Sequence, residues 1–323
     1  MPRVAQSQHS SKRPPPVVVL AGGTGGAKLA RGMLAAVGAE RLVVIANTGD
    51  DIEIYGAYVS PDPDLVVFHL AGLIDERGWG LAGDTFATMD GLRSLGVDVW
   101  FNLGDRDLAI GLERARRLRE GERLTEAHAA ITGALGVRAR VLPMSDHPVR
   151  TRVMAHDRWW SFQEFMIRAA GRGPVQGLDF HGARAASPTE EVVEAIERAE
   201  AIVIGPSNPI ISIGPILATG DLRAAIERSR APVVAVSPLV RGRVLKGPTA
   251  EFLRFCGYEC SSDGIAACYE GLIDGLIADQ PTDALPLLET SVLIETPRAA
   301  RALAERTLQF ALALGAAGSV RRR

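Results

Sequence analysis

A strand that runs straight into a glycine loop and then a helix constrains this 323-residue chain more than any other feature of its sequence. Residues 17 to 20 are Val-Val-Val-Leu, with no polar alternate, the pattern of a strand covered on both faces. Ala21-Gly22-Gly23-Thr24-Gly25-Gly26-Ala27-Lys28 follows directly, and Leu29, Met33, Leu34 and Val37 then recur at helical spacing. A doubly covered strand needs helices above and below it, and a crossover helix returns the chain to a parallel neighbour. The next apolar run, residues 41 to 47, ends at Thr48-Gly49-Asp50-Asp51. The expected class is α/β: a Rossmann-like, mostly parallel sheet with helices on both faces and a smaller inserted α/β region.

The same grammar continues with interruptions. Residues 64 to 68 and 97 to 101 read as strands, and residues 85 to 95, 106 to 119 and 122 to 135 as helices, the last capped by Thr125. The texture changes at 137 to 184, where strand candidates surround the short helical stretch SFQEFMIRAA, so this segment reads as an inserted smaller lobe. The core is then 17 to 136 with 185 to 315. A helix beginning at Pro188 has Ser187 as its expected N-cap. Strands follow at AIVIGPSNP and APVVAVSPLV, and helices at residues 264 to 277 and 300 to 314. Several strand ends thus carry Gly, Asn, Asp, Ser and Pro, and in open α/β sheets that carboxyl edge is where ligands bind.

Composition narrows the function classes. Hydrophobic residues at 47% and charged residues at 23% suit a large buried core. Aromatic residues at 5% are sparse for a surface that stacks nucleic-acid bases. Arg3, Lys12, Arg13, Arg321, Arg322 and Arg323 supply six of the 36 basic residues, so the body is more acidic than the net charge of -2. Neither nucleic acid nor an anionic membrane is an expected partner. Cys256, Cys260 and Cys268 lack the spacing of a disulfide framework or a four-thiolate zinc site. Residues 1 to 16 read as a disordered leader without an apolar signal region, and residues 316 to 323 as a basic tail. No apolar run is long enough for membrane insertion, and a cytoplasmic location is expected.

Four strand-end segments carry candidate chemistry. Gly22, Gly23, Thr24, Gly25, Gly26 and Lys28 form either a phosphate cradle at a helix N-terminus or a structural turn. Their spacing fits neither the dinucleotide fingerprint nor the P-loop. Asp50, Asp51, Asp62 and Asp64 offer hard oxygens from two loops, enough for Mg²⁺, though exposed acidic turns are also common. Asp105 and Asp107 flank Arg106 in a third acidic loop that either orients a substrate hydroxyl or caps a helix. Ser207, Asn208 and Ser212 lie in a proline-bounded loop able to read part of a nucleotide, or merely to turn the chain. His147 has no metal-ligand spacing, and no Gly-x-Ser-x-Gly elbow is present.

LAGGTGGAKL at 20 to 29, NTGDD at 47 to 51, PDPDLVVFHLAG at 61 to 72, RGWGLAGDTF at 77 to 86, LGDRDLA at 103 to 109, LPMSDHPVRT at 142 to 151, FQEF at 162 to 165 and GPSNPIISIGPIL at 205 to 217 together resemble the 2-phospho-L-lactate transferase family of coenzyme F420 biosynthesis. The resemblance implies transfer of a phosphorylated three-carbon acid (2-phospho-L-lactate, phosphoenolpyruvate or phosphoglycerate) from a guanosine diphosphate-type donor. The implied acceptor is the hydroxyl of 7,8-didemethyl-8-hydroxy-5-deazariboflavin (Fo), a substrate, and GMP is released. It also implies Mg²⁺ on Asp50 and Asp62, which double as catalytic residues, and a homodimer. Donor contacts fall to the glycine loop with Lys28, Ser207, Asn208 and Ser212, and acceptor contacts to Asp51, Asp64, Asp105 and Arg106. Leu65 and His69 depart from the family's more usual residues. A nucleotide-sugar-binding regulatory protein of the gluconeogenesis-factor type is the alternative; it resembles this chain less at LGDRDLA, SDHPVRT and SNPIISIGPIL.

Overall fold

The structure, a computed structural model, describes residues 14 to 321. Most of the expected leader and the last two arginines of the expected basic tail lie outside those residues; the rest of the tail continues a helix. In chain order the elements begin with β1 (Val17–Ala21), α1 (Gly23–Val37), β2 (Leu42–Ala46), β3 (Ile52–Ile54), β4 (Ala57–Val59) and α2 (Pro61–Ala71). Next come α3 (Ala87–Ser94), α4 (Asp105–Arg119), α5 (Leu124–Ala134), β5 (Arg140–Pro143), β6 (Arg150–Ala155), β7 (Arg158–Ser161), α6 (Phe162–Ile167) and β8 (Gly177–His181). The chain continues through α7 (Glu190–Glu197), β9 (Ala201–Ile204), α8 (Gly214–Ala218), α9 (Leu222–Arg228), β10 (Val233–Val236), β11 (Leu239–Val240) and β12 (Arg243–Val244). It closes with α10 (Thr249–Phe255), α11 (Ser262–Cys268), β13 (Gly275–Ala278), β14 (Leu287–Glu289) and α12 (Pro297–Arg321).

Seven of these strands form one parallel sheet in the order β14-β13-β10-β9-β1-β2-β5. Alternation along β1 divides the core: Val18 and Leu20 pack into the cluster that includes α7, α8, α9 and α11 residues, while Val17, Val19 and Ala21 pack against α1, α2 and α12. That explains the unbroken apolar strand, since both faces are covered. The chain leaves β1 toward β2 on one side and reaches β9 on the other, so β1 sits at the reversal of strand order, where a crevice opens at the carboxyl edge.

Two appendages stand beside this sheet. The β3–β4 hairpin packs with α3 and α4 around Ala57, Val59, Met89 and Leu108. The antiparallel sheet β7-β6-β8 packs with α6 and α10 around Val153, Phe165 and Phe252. Within the stretch 137 to 184, β5 is an edge strand of the main sheet, paired with β2, and the separate sheet starts at Arg150.

Several local expectations are corrected. Residues 64 to 68 are helical, not a strand: Pro61 opens α2, and Asp62 and Asp64 in its first turn suit the positive end of the helix. Residues 97 to 101 form no strand; Val99 and Phe101 instead pack against the hairpin cluster. The N-cap of α7 is Thr189, whose side chain accepts from Val192 N at 3.2 Å, while Pro188 bridges to Ser145. Thr125 is already inside α5 and donates to Asp146 Oδ1 at 2.7 Å. Residues 264 to 277 split into the end of α11 and the buried strand β13.

Candidate active site

The glycine loop is shaped by what presses on it. Gly22 is extended and Gly23 has φ of 61°, a left-handed conformation that favours glycine. A Cβ on Gly22 would lie 2.7 Å from Ser212 Cβ and 2.8 Å from Asp62 Oδ2; one on Gly25 would lie 2.0 Å from the Pro206 carbonyl oxygen. Gly26 meets Ser207 Oγ in the same way at 2.6 Å. The loop at 205 to 213 therefore closes against the glycines, and Ser207 Oγ accepts from Gly22 N at 3.2 Å. Gly23, Thr24 and Gly25 remain partly exposed at the start of α1, which has no acidic residue in its own first turn. Gly23 N is taken by a carboxylate of this chain, so the backbone N–H groups of Thr24 and Gly25 are the natural place for an anion.

Asp62 ties this loop to the acidic one. Its Oδ1 accepts from Gly23 N at 2.6 Å and its Oδ2 from Asn47 Nδ2 at 2.9 Å. Asn47 ends the β2 strand run and also holds Gly49 N at 2.8 Å, so one amide fixes both carboxylate-bearing segments. Asp50 and Asp62 are each only 6% exposed. Burial pushes Asp50 well above the usual carboxylate range, the charge of Asp62 adds to the rise, and the Asn47 bond opposes it. Burial raises Asp62 to about 6 against the bonds from Asn47 and Gly23. Asp50 Oδ1 is buried without a hydrogen-bond partner.

This pair fits a divalent cation. Among the described residues no three His, Cys, Asp or Glu side chains are placed to hold a metal. Mg²⁺ needs less, because it commonly binds through one or two carboxylates and completes its shell with water and substrate phosphate oxygens. Asp50 and Asp62 are the residues that would hold it, and its charge would relieve their repulsion.

Asp51 and Asp64 are engaged elsewhere. Asp51 Oδ1 accepts from Ser60 Oγ at 2.8 Å; burial raises its carboxyl to about 7, with the nearby Arg150 pulling it down. Asp64 is gripped by both terminal nitrogens of Arg114, a fully buried guanidinium that also donates to the Tyr58 carbonyl at 2.9 Å. Burial raises Asp64, while the charge and hydrogen bonds of Arg114 oppose the rise.

Beside them lies a cavity of about 230 Å³ with Leu65, Phe68, Trp79, Phe86 and Phe101 among its walls. Asp62, Asp64, Asp84, Asp107, Arg77, Asn102 and Gln163 supply its polar lining, and Gln163 Nε2 reaches the Asp50 carbonyl at 3.4 Å. Asp105 and Arg106 are not among the lining residues. Asp105 caps α3, accepting from Ala87 N and Thr88 N at 3.0 and 2.9 Å, and Arg106 Nη1 donates to the Ala82 carbonyl at 3.0 Å. Asp84 caps α4 in turn, through Arg106 N and Asp107 N. The loop therefore does contain helix caps, and the carboxylate it presents to the cavity, beside Asn102, Leu103 and Gly104, is that of Asp107, two positions beyond Asp105.

Other sequence candidates take internal roles. Lys28 Nζ donates to the Ile294 carbonyl at 3.0 Å. Asn208 Oδ1 accepts from Ile210 N and Ile211 N, and its Nδ2 donates to Thr249 Oγ1, so this side chain braces the loop that presses on the glycines. His147 Nδ1 accepts from Ser187 N at 3.3 Å. His69 is buried; desolvation and then the charges of Lys28 and Arg31 lower it to about 4, which keeps it neutral. Trp79, Arg77 and Gln163 were not singled out from sequence; the only signal was their position in motifs that also carry Asp84 or Phe165.

Comparison with known proteins identifies the family of the chain. Residues 17–294 match the family model described as 2-phospho-L-lactate transferase CofD. The chain is 38% identical over 260 residues to the 2-phospho-L-lactate transferase of Methanosarcina mazei, covering 80% of this chain and 85% of that one. It is 39% identical over 309 residues to the phosphoenolpyruvate transferase of Kitasatospora aureofaciens, covering 88% and 96%. A crystal structure of a UPF0052 family member from Bacillus halodurans superposes with a TM-score of 0.54 at 17% identity, covering 92% and 98%, a likeness of fold. The chain belongs to the 2-phospho-L-lactate transferase CofD family.

Proposed function

We propose that this transferase moves a phosphorylated three-carbon acid from a guanosine diphosphate-type donor to the hydroxyl of Fo, with release of GMP. The observation that carries the reading is the contact of Asp62 with both Gly23 N and Asn47 Nδ2, which sets a buried carboxylate pair directly beside the open N-terminus of α1. Gly22, Gly23, Thr24, Gly25 and Gly26, with Ser207 and Ser212, form the donor side: Gly22 N and Gly23 N hold the cradle together through Ser207 and Asp62, and the backbone N–H groups that follow them meet diphosphate oxygens. The cavity walled by Trp79, Phe86 and Phe101 forms the acceptor side, apolar enough for a flat deazaflavin ring. Mg²⁺ on Asp50 and Asp62, when bound, supplies positive charge to the diphosphate. The chain's own part is to hold donor and acceptor together at one sheet edge, so that the hydroxyl attacks the phosphorus directly.

The relatives' names include both 2-phospho-L-lactate and phosphoenolpyruvate transferases at nearly equal identity, so the acid is chosen by experiment. Purified protein with Fo, Mg²⁺ and each guanosine-activated acid in turn should give one preferred phosphodiester product by mass spectrometry. Asp50→Asn should cut turnover by about 100-fold or more while leaving the fold intact. Absence of Fo-dependent GMP release with every donor would refute the reading.

A further inference from the structure

One carboxylate on the cavity wall has no task in the arrangement above. Asp62 is bonded to Gly23 and Asn47, Asp64 to Arg114, and Asp84 to the first turn of α4. Asp107 shares the cavity with them. Its backbone N–H donates to Asp84 Oδ2 at 3.1 Å, which fixes the position of its Cα. No hydrogen bond or ion pair engages its carboxylate among the described residues. Asp107 thus brings an unengaged carboxylate to a cavity whose other carboxylates are already bonded and whose walls include Leu65, Phe68, Trp79, Phe86 and Phe101.

We propose that Asp107 is the catalytic base that accepts the proton of the acceptor alcohol. The inference rests on the transferase reading given above. As the hydroxyl oxygen forms its bond to the donor phosphorus, the O–H bond breaks and the proton passes to the Asp107 carboxylate. The phosphorus–oxygen bond to the departing nucleoside monophosphate breaks, and that oxygen keeps the electron pair. Asp107 then returns the proton to solvent before the next cycle.

The electrostatics match the task. Asp64 on α2 and Asp84 on the loop before α3 face Asp107 with negative charge, Arg114 on α4 faces it with positive charge, and Asp62 and Arg77 line the same cavity. Desolvation, then Asp64 and Asp84, push the carboxyl up to about 7, with Arg114 opposing. Arg114 is already committed to Asp64, so the two neighbouring carboxyls are driven apart in character: one is a fixed counter-charge and the other is available near neutral pH. A base works best when its own pKa lies near the working pH.

The test compares wild type, Asp107→Asn and Asp107→Glu with Fo, Mg²⁺ and the preferred donor. Wild-type kcat should rise about ten-fold per pH unit on the acid side and level off above about 7, because the ionised form is the working one. Asp107→Asn should lose that limb and about 10² to 10⁴-fold in kcat, with Fo affinity, read from deazaflavin fluorescence, changed by less than about three-fold. Asp107→Glu should keep an acid limb. A limb and kcat retained in Asp107→Asn, or an Fo affinity loss with kcat unchanged, overturns the assignment and makes Asp107 at most a ring contact. If Asp107→Asn does not fold, the wild-type and Asp107→Glu profiles decide: a flat profile in either overturns the proposal. Wild type that transfers nothing defeats the transferase reading itself, a result separable from failure of Asp107 alone.

Discussion

Asp64 and Asp107 share a cavity, yet only Asp64 has a guanidinium. Arg114 is buried completely and spends both terminal nitrogens on Asp64, which makes the pair costly to break and of little value over an apolar replacement. Arg114→Met alone should therefore lower stability by about 3–5 kcal/mol in urea unfolding, because it leaves a buried carboxylate unpaired. The double variant Arg114→Met with Asp64→Leu should recover most of that loss; if it recovers none, the pair is not the source of the cost. Glycines and paired aspartates at strand ends were legible in the sequence because each serves one chemistry, close approach or negative charge. The choice between Asp105 and Asp107 was not. Two residues apart on a helix, they point about 160° apart, and only the packing of α3 and the Asp84 loop decides which one caps and which one lines the cavity.

Among the elements, β1, β2, β9 and β10 were legible because each is an apolar run covered on both faces and closed by a polar loop, whereas the equally buried β13 was hidden in a stretch that reads as a helix. Residues 64 to 68 defeated that logic: five residues of which four are apolar suit a strand or a helix turn equally, and Pro61 with the acidic first turn settles it as α2. Helix crossings were equally hidden. Gly32 lies where α1 crosses α12, and a Cβ there would stand 2.2 Å from the Ala300 carbonyl oxygen. Gly91 in α3 has nothing within 4 Å. Alanine gains about 0.8–1.0 kcal/mol over glycine inside a helix, so the same substitution should act with opposite sign at the two places. Gly91→Ala should raise the melting temperature, whereas Gly32→Ala should lower it, the forced separation of α1 and α12 exceeding the propensity gain. Matching shifts in thermal unfolding at both positions would contradict the crossing.

At the scale of the whole molecule, the buried carboxylates set how stability follows pH. Asp51 and Asp107 are raised to about 7 and Asp62 to about 6, all above the unfolded value near 4, so the folded state holds more protons than the unfolded one across that interval. Their contribution to stability is lost as pH rises toward 7. His69 and His128, lowered to about 4 and about 3 by burial first, act in the opposite sense below about 6.5 and are silent above it. Between about pH 6.5 and 8 the carboxylates therefore act alone, and the melting temperature without divalent cation should fall across that range. Mg²⁺ should restore more of it at pH 8 than at pH 6, because protons compete for Asp50 and Asp62. A melting temperature that rises from pH 6.5 to 8 without added cation would contradict these raised carboxyls.

Gly22 and Ser207 lie 185 residues apart in sequence, and the contact between them closes the glycine cradle. A chain emerging during synthesis thus completes its glycine loop early but has no binding site until the loop at 205 to 213 has also emerged and β9 has paired with β1. Closing so long a loop is slow compared with forming a helix or hairpin. For the nascent protein, the glycine loop is made long before the segment that closes on it, so the proposed donor site is a late acquisition.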